Sequence, residues 1–233
     1  MNKKIFTTEL AFAMKQTVPV FFGYIFLGIA YGLLLRDAGY GIIWAFATSL
    51  FIYAGSMQFL LVTLLSGGAG LLYSAFMTLL LNGRHLFYGL SFVDKFKCMG
   101  KAYLYMIFSL TDETYSVLCG CKVPDGINEK RVWFSIALID HCYWILGSVI
   151  GNTVGKFITF DTTGIDFSMT ALFVAIVVEQ WLSSKNHLPA LIGGTSAVLF
   201  LIILGPDKFM IPSLSVAVFI LLLCKNKLGG DTV

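Results

Sequence analysis

Apolar positions in this chain do not alternate with polar ones, as they would on helices wetted along one side. They gather into blocks of about 20 residues, the length that carries a helix across a hydrocarbon core, with short clusters of charge, glycine and proline between them. The first block covers 18–35, with Pro19 in its first turn, where a helix tolerates proline, and Arg36-Asp37-Ala38-Gly39 closing it. From Ala38 to Gly83 there follow 46 residues without a charge. That stretch must hold two spans, about 41–65 and 71–93, because Gly67-Gly68-Ala69-Gly70 supplies a turn between them. Lys95, Lys97 and Lys101 form a basic loop. Further spans are predicted at about 102–121, 132–155, 167–182, 188–204 and 211–224, with the polar connection 122–131 turning at Pro124-Asp125-Gly126. Residues 3–15 place Phe6, Leu10, Ala13 and Met14 at helical spacing among lysines, which suits a short amphipathic lead-in at an interface.

The pattern therefore predicts an all-α, polytopic membrane helix bundle of seven to eight transmembrane segments. It forms one domain over 1–233, with a lead-in at 1–16, a core at 17–182 and C-terminal helices at 183–233. Composition agrees: 58% of the 233 residues are hydrophobic, 12% are charged and mean hydropathy is +0.84, against about 45–50% and 25% in ordinary globular domains. The net charge of +3 comes from lysines beside apolar segments, so membrane lipid is the expected neighbour and nucleic acid is not. The lysines and arginines divide only weakly between the two sides for eight crossings. Glu9 and the lack of a small-residue cleavage site argue that the first span is retained. Cys98, Cys119, Cys121, Cys142 and Cys224 are odd in number and hold no C-x-x-C pair, so no disulfide framework or zinc site is expected and they read as small packing residues.

Against this background a few residues carry chemistry. Asn82-Gly83-Arg84-His85 puts a permanent cation and an imidazole at membrane depth, where ionisable groups are costly and usually functional. Asn82 and His85 are three apart, Arg84 and Tyr88 four apart, giving two adjacent polar faces. Thr111-Asp112-Glu113 repeats the anomaly with opposite sign in the middle of the fourth span. One of its acids can pair with Arg84 while the other faces a cavity or shares a proton. The plainer alternative is a structural ion pair, with His85 capping a carbonyl. Ala54-Gly55-Ser56-Met57-Gln58 weakens the second span in mid-membrane and allows backbone groups to face a cavity, or else forms an ordinary small-residue contact with Gln58 bonded to a neighbouring helix. Helix breaks are anticipated near Gly55 and Asn82. Asp140-His141, flanked by Trp133, Tyr143 and Trp144, reads as an interfacial or helix-contact pair, and Glu179 and His187 as surface groups. Gly28-x-x-x-Gly32 and Gly147-x-x-x-Gly151-x-x-x-Gly155 predict close helix packing, with sliding during transport as the other reading. No H-E-x-x-H, H-x-x-x-H or G-x-S-x-G occurs and the three histidines lie in different segments, so neither an enzyme nor a metal or other cofactor is expected.

Several blocks occur together in one order: Pro19 with Gly23-Tyr24 and the small-residue run to Gly32; Tyr53-Ala54-Gly55-Ser56-Met57-Gln58-Phe59; Leu81-Asn82-Gly83-Arg84-His85-Leu86-Phe87-Tyr88; Leu110-Thr111-Asp112-Glu113; Trp144-x-x-Gly147; and Gly164-Ile165-Asp166-Phe167. In these the chain resembles the AzlC-type azaleucine-resistance family of branched-chain amino acid permeases, over roughly residues 11–182. Gly83, where leucine is common, and Asp140, where the family is usually apolar, depart from its pattern. The resemblance implies an inner-membrane exporter of valine, leucine, isoleucine and their analogues, working with a small, separately encoded AzlD-type membrane subunit. A channel or uptake permease for another small metabolite, or an assembly subunit, are the other readings. The expected site comprises Gly55, Ser56, Gln58, Asn82, Arg84, His85, Tyr88, Asp112 and Glu113. A substrate carboxylate would meet Arg84 or the backbone at Gly55, its ammonium Asp112 or Glu113, and protonation of Glu113, Asp112 or His85 would couple transport to protons.

Overall fold

The computed structural model describes residues 3–157, 167, 171, 174, 177–178, 181–182, 186–205 and 209–223, and within them leaves out the side chains of 3–7, 84, 86–88, 90–91, 210, 211, 214, 218 and 222. All regular structure among the described residues is helical. The chain forms two compact units, Met1–Ala171 and Leu172–Val233. In the first lie α1 (Lys3–Gln16), α2 (Val18–Asp37), α3 (Ile42–Phe51), α4 (Gly55–Ser66), α5 (Leu71–Asn82), α6 (Arg84–Lys97), α7 (Tyr103–Phe108), α8 (Asp112–Gly120) and α9 (Glu129–Phe157); in the second, α10 (Leu188–Leu204) packs on α11 (Met210–Leu223).

The first unit is built on the contact between α2 and α9. A Cβ added at Gly28 would stand 3.0 Å from Gly147 Cα, and one at Gly147 would stand 2.9 Å from the carbonyl oxygens of Tyr24 and Ile25. At Gly32 and Gly151 it would overlap the facing backbone, Ser148 O and Ile29 O respectively. The glycine rows thus seat one helix against the other, which is how small residues hold helices together where hydrocarbon outside gives no hydrophobic drive. Asn152 closes the same seam, donating through Nδ2 to Gly32 O at 3.2 Å and to Tyr40 O at 2.9 Å.

Three of the predicted spans are each two shorter helices. The second breaks at 52–54, where Tyr53 takes φ 44°, a left-handed conformation rare for a residue with a Cβ. The third breaks at Gly83 and the fourth at 109–111. The first two breaks fall beside Gly55 and Asn82. Only α2 and α9 are by themselves long and apolar enough to cross a membrane among the described residues; α3, α4, α5 and α10 are apolar but shorter. Outward positions such as Phe22, Phe26, Ile43, Phe51, Leu79 and Leu104 are apolar, while Ser49, Gln58, Thr114, Asp140 and Asn152 are buried. That arrangement suits a hydrocarbon solvent. Of the cysteines expected as small packing residues, Cys121 packs against the cluster around Phe92 and Trp133, Cys98, Cys119 and Cys142 are free and exposed, and Cys224 lies outside the described residues.

The lead-in α1 docks on α9, burying Ala13 among Phe92, Phe96, Met106 and Ile136. Glu9 is 1% exposed, and its Oε2 lies 3.5 Å from Nη1 of the half-exposed Arg131. Arg131→Met is expected to cost about 1–3 kcal/mol by stranding that carboxylate, less than breaking a fully buried pair. Adding Glu9→Gln should restore the loss, read as thermal melting in detergent; a double variant as unstable as Arg131→Met would show that the pair is irrelevant.

Candidate functional site

The breaks bring polar groups from distant parts of the chain together around Tyr24 on α2. At the third break Thr111 is the N-cap of α8: its backbone is extended (ψ 174°) and its Oγ1 accepts from Thr114 N–H at 3.3 Å. Asp112 and Glu113 therefore occupy the first turn of a helix, where unpaired N–H groups and the helix dipole favour negative charge. They lie within the fourth span at the start of a half-helix, and not in the middle of a continuous helix, as the apolar run suggested. The Tyr24 hydroxyl donates to Glu113 Oε2 at 2.8 Å and lies 2.6 Å from Thr111 Oγ1.

The second break is tied to the same helix start. His85 Nδ1 lies 3.1 Å from the Asn82 carbonyl oxygen, so Nδ1–H donates to the end of α5, and Nε2 lies 4.0 Å from Asp112 Oδ1. His85 thus does cap a carbonyl, and it reaches Asp112 as well. Arg84 begins α6 and Tyr88 follows one turn later, but their side chains lie outside the described residues, as do residues 164–166 and Glu179.

At the first break Gly55 opens α4 with no side-chain cap from Ala54, and the Trp144 indole covers it: a Cβ there would stand 3.2 Å from Trp144 Cη2. Ser56 is buried beside it. Gln58, fully buried, donates from Nε2 to Ser49 Oγ at 3.3 Å and accepts from Trp144 Nε1 at 2.8 Å, joining α3, α4 and α9. Both ends of the amide are engaged by the protein, which makes Gln58 a holder of the break.

Asp140 and His141 take the helix-contact alternative and not the interfacial one. The glycine seam presses α9 onto α2, and Asp140, fully buried, accepts from Thr114 Oγ1 at 2.9 Å through Oδ2. His141 stacks on Tyr53 with ring centroids 4.1 Å apart. Its Nε2 lies 3.1 Å from Ser49 O and its Nδ1 3.1 Å from Tyr105 Oη. The carbonyl requires Nε2–H, which leaves Nδ1 to accept from the tyrosine. The flanking aromatics make helix contacts in different directions: Trp133 joins Phe92 and Phe96, whereas Trp144 stacks on Tyr31 and meets Tyr24 edge-on. Tyr24, Tyr53, Thr114, Asp140 and His141 are thus site neighbours that the sequence reading left out. One local signal was available, since a threonine followed by two acids is a helix-start pattern.

Comparison with known proteins gives consistent results. A family model described as AzlC protein matches residues 19–158. The chain is 41% identical over 202 residues, 87% of this chain and 80% of the relative, to the Branched-chain amino acid transport protein AzlC of Bacillus subtilis. It is 39% identical to a membrane protein of Helicobacter pylori strain J99 over 93% of this chain and 95% of that one. With the Inner membrane protein YgaZ of Escherichia coli it shares 24% identity over 79% of each chain. No solved structure matches it.

Proposed function

The chain belongs to the AzlC family, a family of transport proteins and not of enzymes, and on that premise we propose that it exports branched-chain amino acids across the inner membrane. In this reading valine, leucine, isoleucine and their analogues leave the cell coupled to protons, with a small AzlD-type subunit as partner. Residues 1–233 act as one multi-pass transport domain. Each pair of half-helices, α3–α4, α5–α6 and α7–α8, counts as one crossing, which with α2, α9 and the C-terminal helices gives seven to eight.

The observation that carries the proposal is the meeting of helix breaks at one polar centre. A free amino acid bears a carboxylate and an ammonium that both lose water on entering hydrocarbon, so a carrier must supply opposite charges and backbone groups at membrane depth. The start of α4 at Gly55, where Ala54 gives no side-chain cap, meets the carboxylate with its backbone, and Arg84, at the start of α6, adds a planar cation. Asp112 and Glu113 face the ammonium from the start of α8. His85 and Asn82 keep the ends of α5 and α8 in register.

The test is efflux of preloaded valine from proteoliposomes holding the chain and its partner subunit. Saturable efflux with countertransport is expected. Arg84→Gln should weaken it about 10–100-fold, since a hydrogen bond to a charged group is worth about 1.5–3 kcal/mol. Absence of valine flux in wild type, or flux without saturation, would refute the carrier reading.

A further inference from the structure

Glu113 and Asp140 stand at the two ends of an unbroken chain of hydroxyls. From Glu113 Oε2 it is 2.8 Å to Tyr24 Oη, then 2.6 Å to Thr111 Oγ1, 3.1 Å to Thr114 Oγ1 and 2.9 Å to Asp140 Oδ2. Every step has hydrogen-bond length. Tyr24, Thr111, Thr114 and Asp140 are all buried, and the path joins α2, the third break, α8 and α9.

Counting protons shows what such a chain requires. The four contacts need four hydrogens, and the three hydroxyls supply three. With both acids ionised, Tyr24 donates to Glu113 and Thr114 donates to Asp140. The Thr111 hydroxyl then serves only one of its two neighbours, and the other contact holds oxygen against oxygen with no hydrogen between. One added proton removes the defect. Placed on Asp140, it orients every bond toward Glu113; placed on Glu113, it orients every bond toward Asp140. In both states Thr111 donates once and accepts twice, from one hydroxyl and from Thr114 N–H, which uses its full capacity. Asp140 Oδ1 is buried and has no hydrogen-bond partner among the described residues, which a protonated carboxyl tolerates far better than a carboxylate.

We propose that Glu113 and Asp140 share a single proton, and that Tyr24, Thr111 and Thr114 relay it between them. Transfer toward Glu113 breaks the O–H bonds of Asp140, Thr114, Thr111 and Tyr24 and forms those of Thr114, Thr111, Tyr24 and Glu113. The net result is one proton moved between two carboxylates, with no change in electrons. Titratable groups bordering the path are Tyr53 at the first break, His85 on α6, Asp112 on α8 and His141 on α9. His141 already spends both ring nitrogens on Ser49 and Tyr105. As a coupling device the relay rests on the export reading above, but its existence does not.

Infrared difference spectroscopy of the full-length protein in lipid, without transported substrate, tests it. Wild type should show the C=O stretch of a buried protonated carboxyl, shifted in heavy water. Asp140→Asn and Glu113→Gln should each abolish it alone, because either amide donates the missing hydrogen and leaves the opposite acid ionised. Thr114→Val cuts the path: the band should remain, now belonging to Asp140, and adding Glu113→Gln to Thr114→Val should no longer remove it. Thr114→Ser should behave as wild type, whether or not the valine variant folds. Two bands lost independently and additively, or no such band in wild type, would overturn the shared proton. Valine efflux is a separate measurement, so failure of the relay and failure of the transport reading are distinguishable.

Discussion

Gly151→Leu is expected to remove nearly all folded protein from the membrane, whereas Gly23→Ala, with nothing within 4 Å of its added Cβ, should leave the level unchanged. Overpacking a core that can shift costs about 1–3 kcal/mol. Here the obstacle is the Ile29 backbone, so the new side chain can be housed only by moving α9 away from α2. That movement also breaks the bonds from Asn152 to Gly32 O and Tyr40 O, and unsatisfied groups in hydrocarbon cost several kcal/mol each. Against a typical stability of about 5–15 kcal/mol the sum is decisive. Gly155→Ala should be milder, because it meets the movable side chains of Leu33 and Arg36. The readout is the monodisperse fraction in detergent. A wild-type fraction for Gly151→Leu would mean that the two helices do not pack through these glycines.

The same seam shows how far a sequence reaches. Residues that act within one helix were legible: the first span, expected at 18–35, is Val18–Asp37, and the seventh, at 188–204, is Leu188–Leu204. Glycine marked the breaks at Gly55 and Gly83 because a residue without a Cβ weakens a helix wherever it stands. The third break was hidden because the run around Thr111-Asp112-Glu113 is long enough for one continuous helix. Asp140 was expected at an interface or a helix contact, and which helix it meets was hidden for another reason. Its partner is reached through Thr114, and the bonds from Tyr24 to Thr111 and from His141 to Ser49 span 87 and 92 residues. Aromatic neighbours within one turn of Asp140 gave no sign of which side chain would meet it across the bundle. For Gln58 two readings stood open, a group facing a cavity or a bond to a neighbouring helix, and the positions of Trp144 and Ser49 show both ends of the amide bonded to neighbouring helices.

Glu113→Gln should accumulate at the wild-type level and still lose proton-driven valine efflux. The amide matches the carboxylate in shape and can donate to Tyr24 Oη, so the hydroxyl chain stays fully bonded, oriented toward Asp140. Folding therefore loses little, while the site loses the proton whose position would distinguish its two states. A ligand or proton shifts a conformational equilibrium only by its differential affinity for the states. If that coupling is of ordinary size, about 1–3 kcal/mol, removing it lowers gradient-driven efflux about 5–150-fold. Asp94→Asn is the matched control. Asp94 is 94% exposed on α6 and pairs, among the described residues, with Lys97 at 2.9 Å, an exposed pair screened by solvent, so its loss should leave efflux unchanged. Efflux from Glu113→Gln at the wild-type rate, with protein at the wild-type level, would mean that the acid serves the start of α8 alone. Loss of efflux together with loss of folded protein would assign Glu113 to structure, because the amide was chosen to satisfy every bond the fold requires.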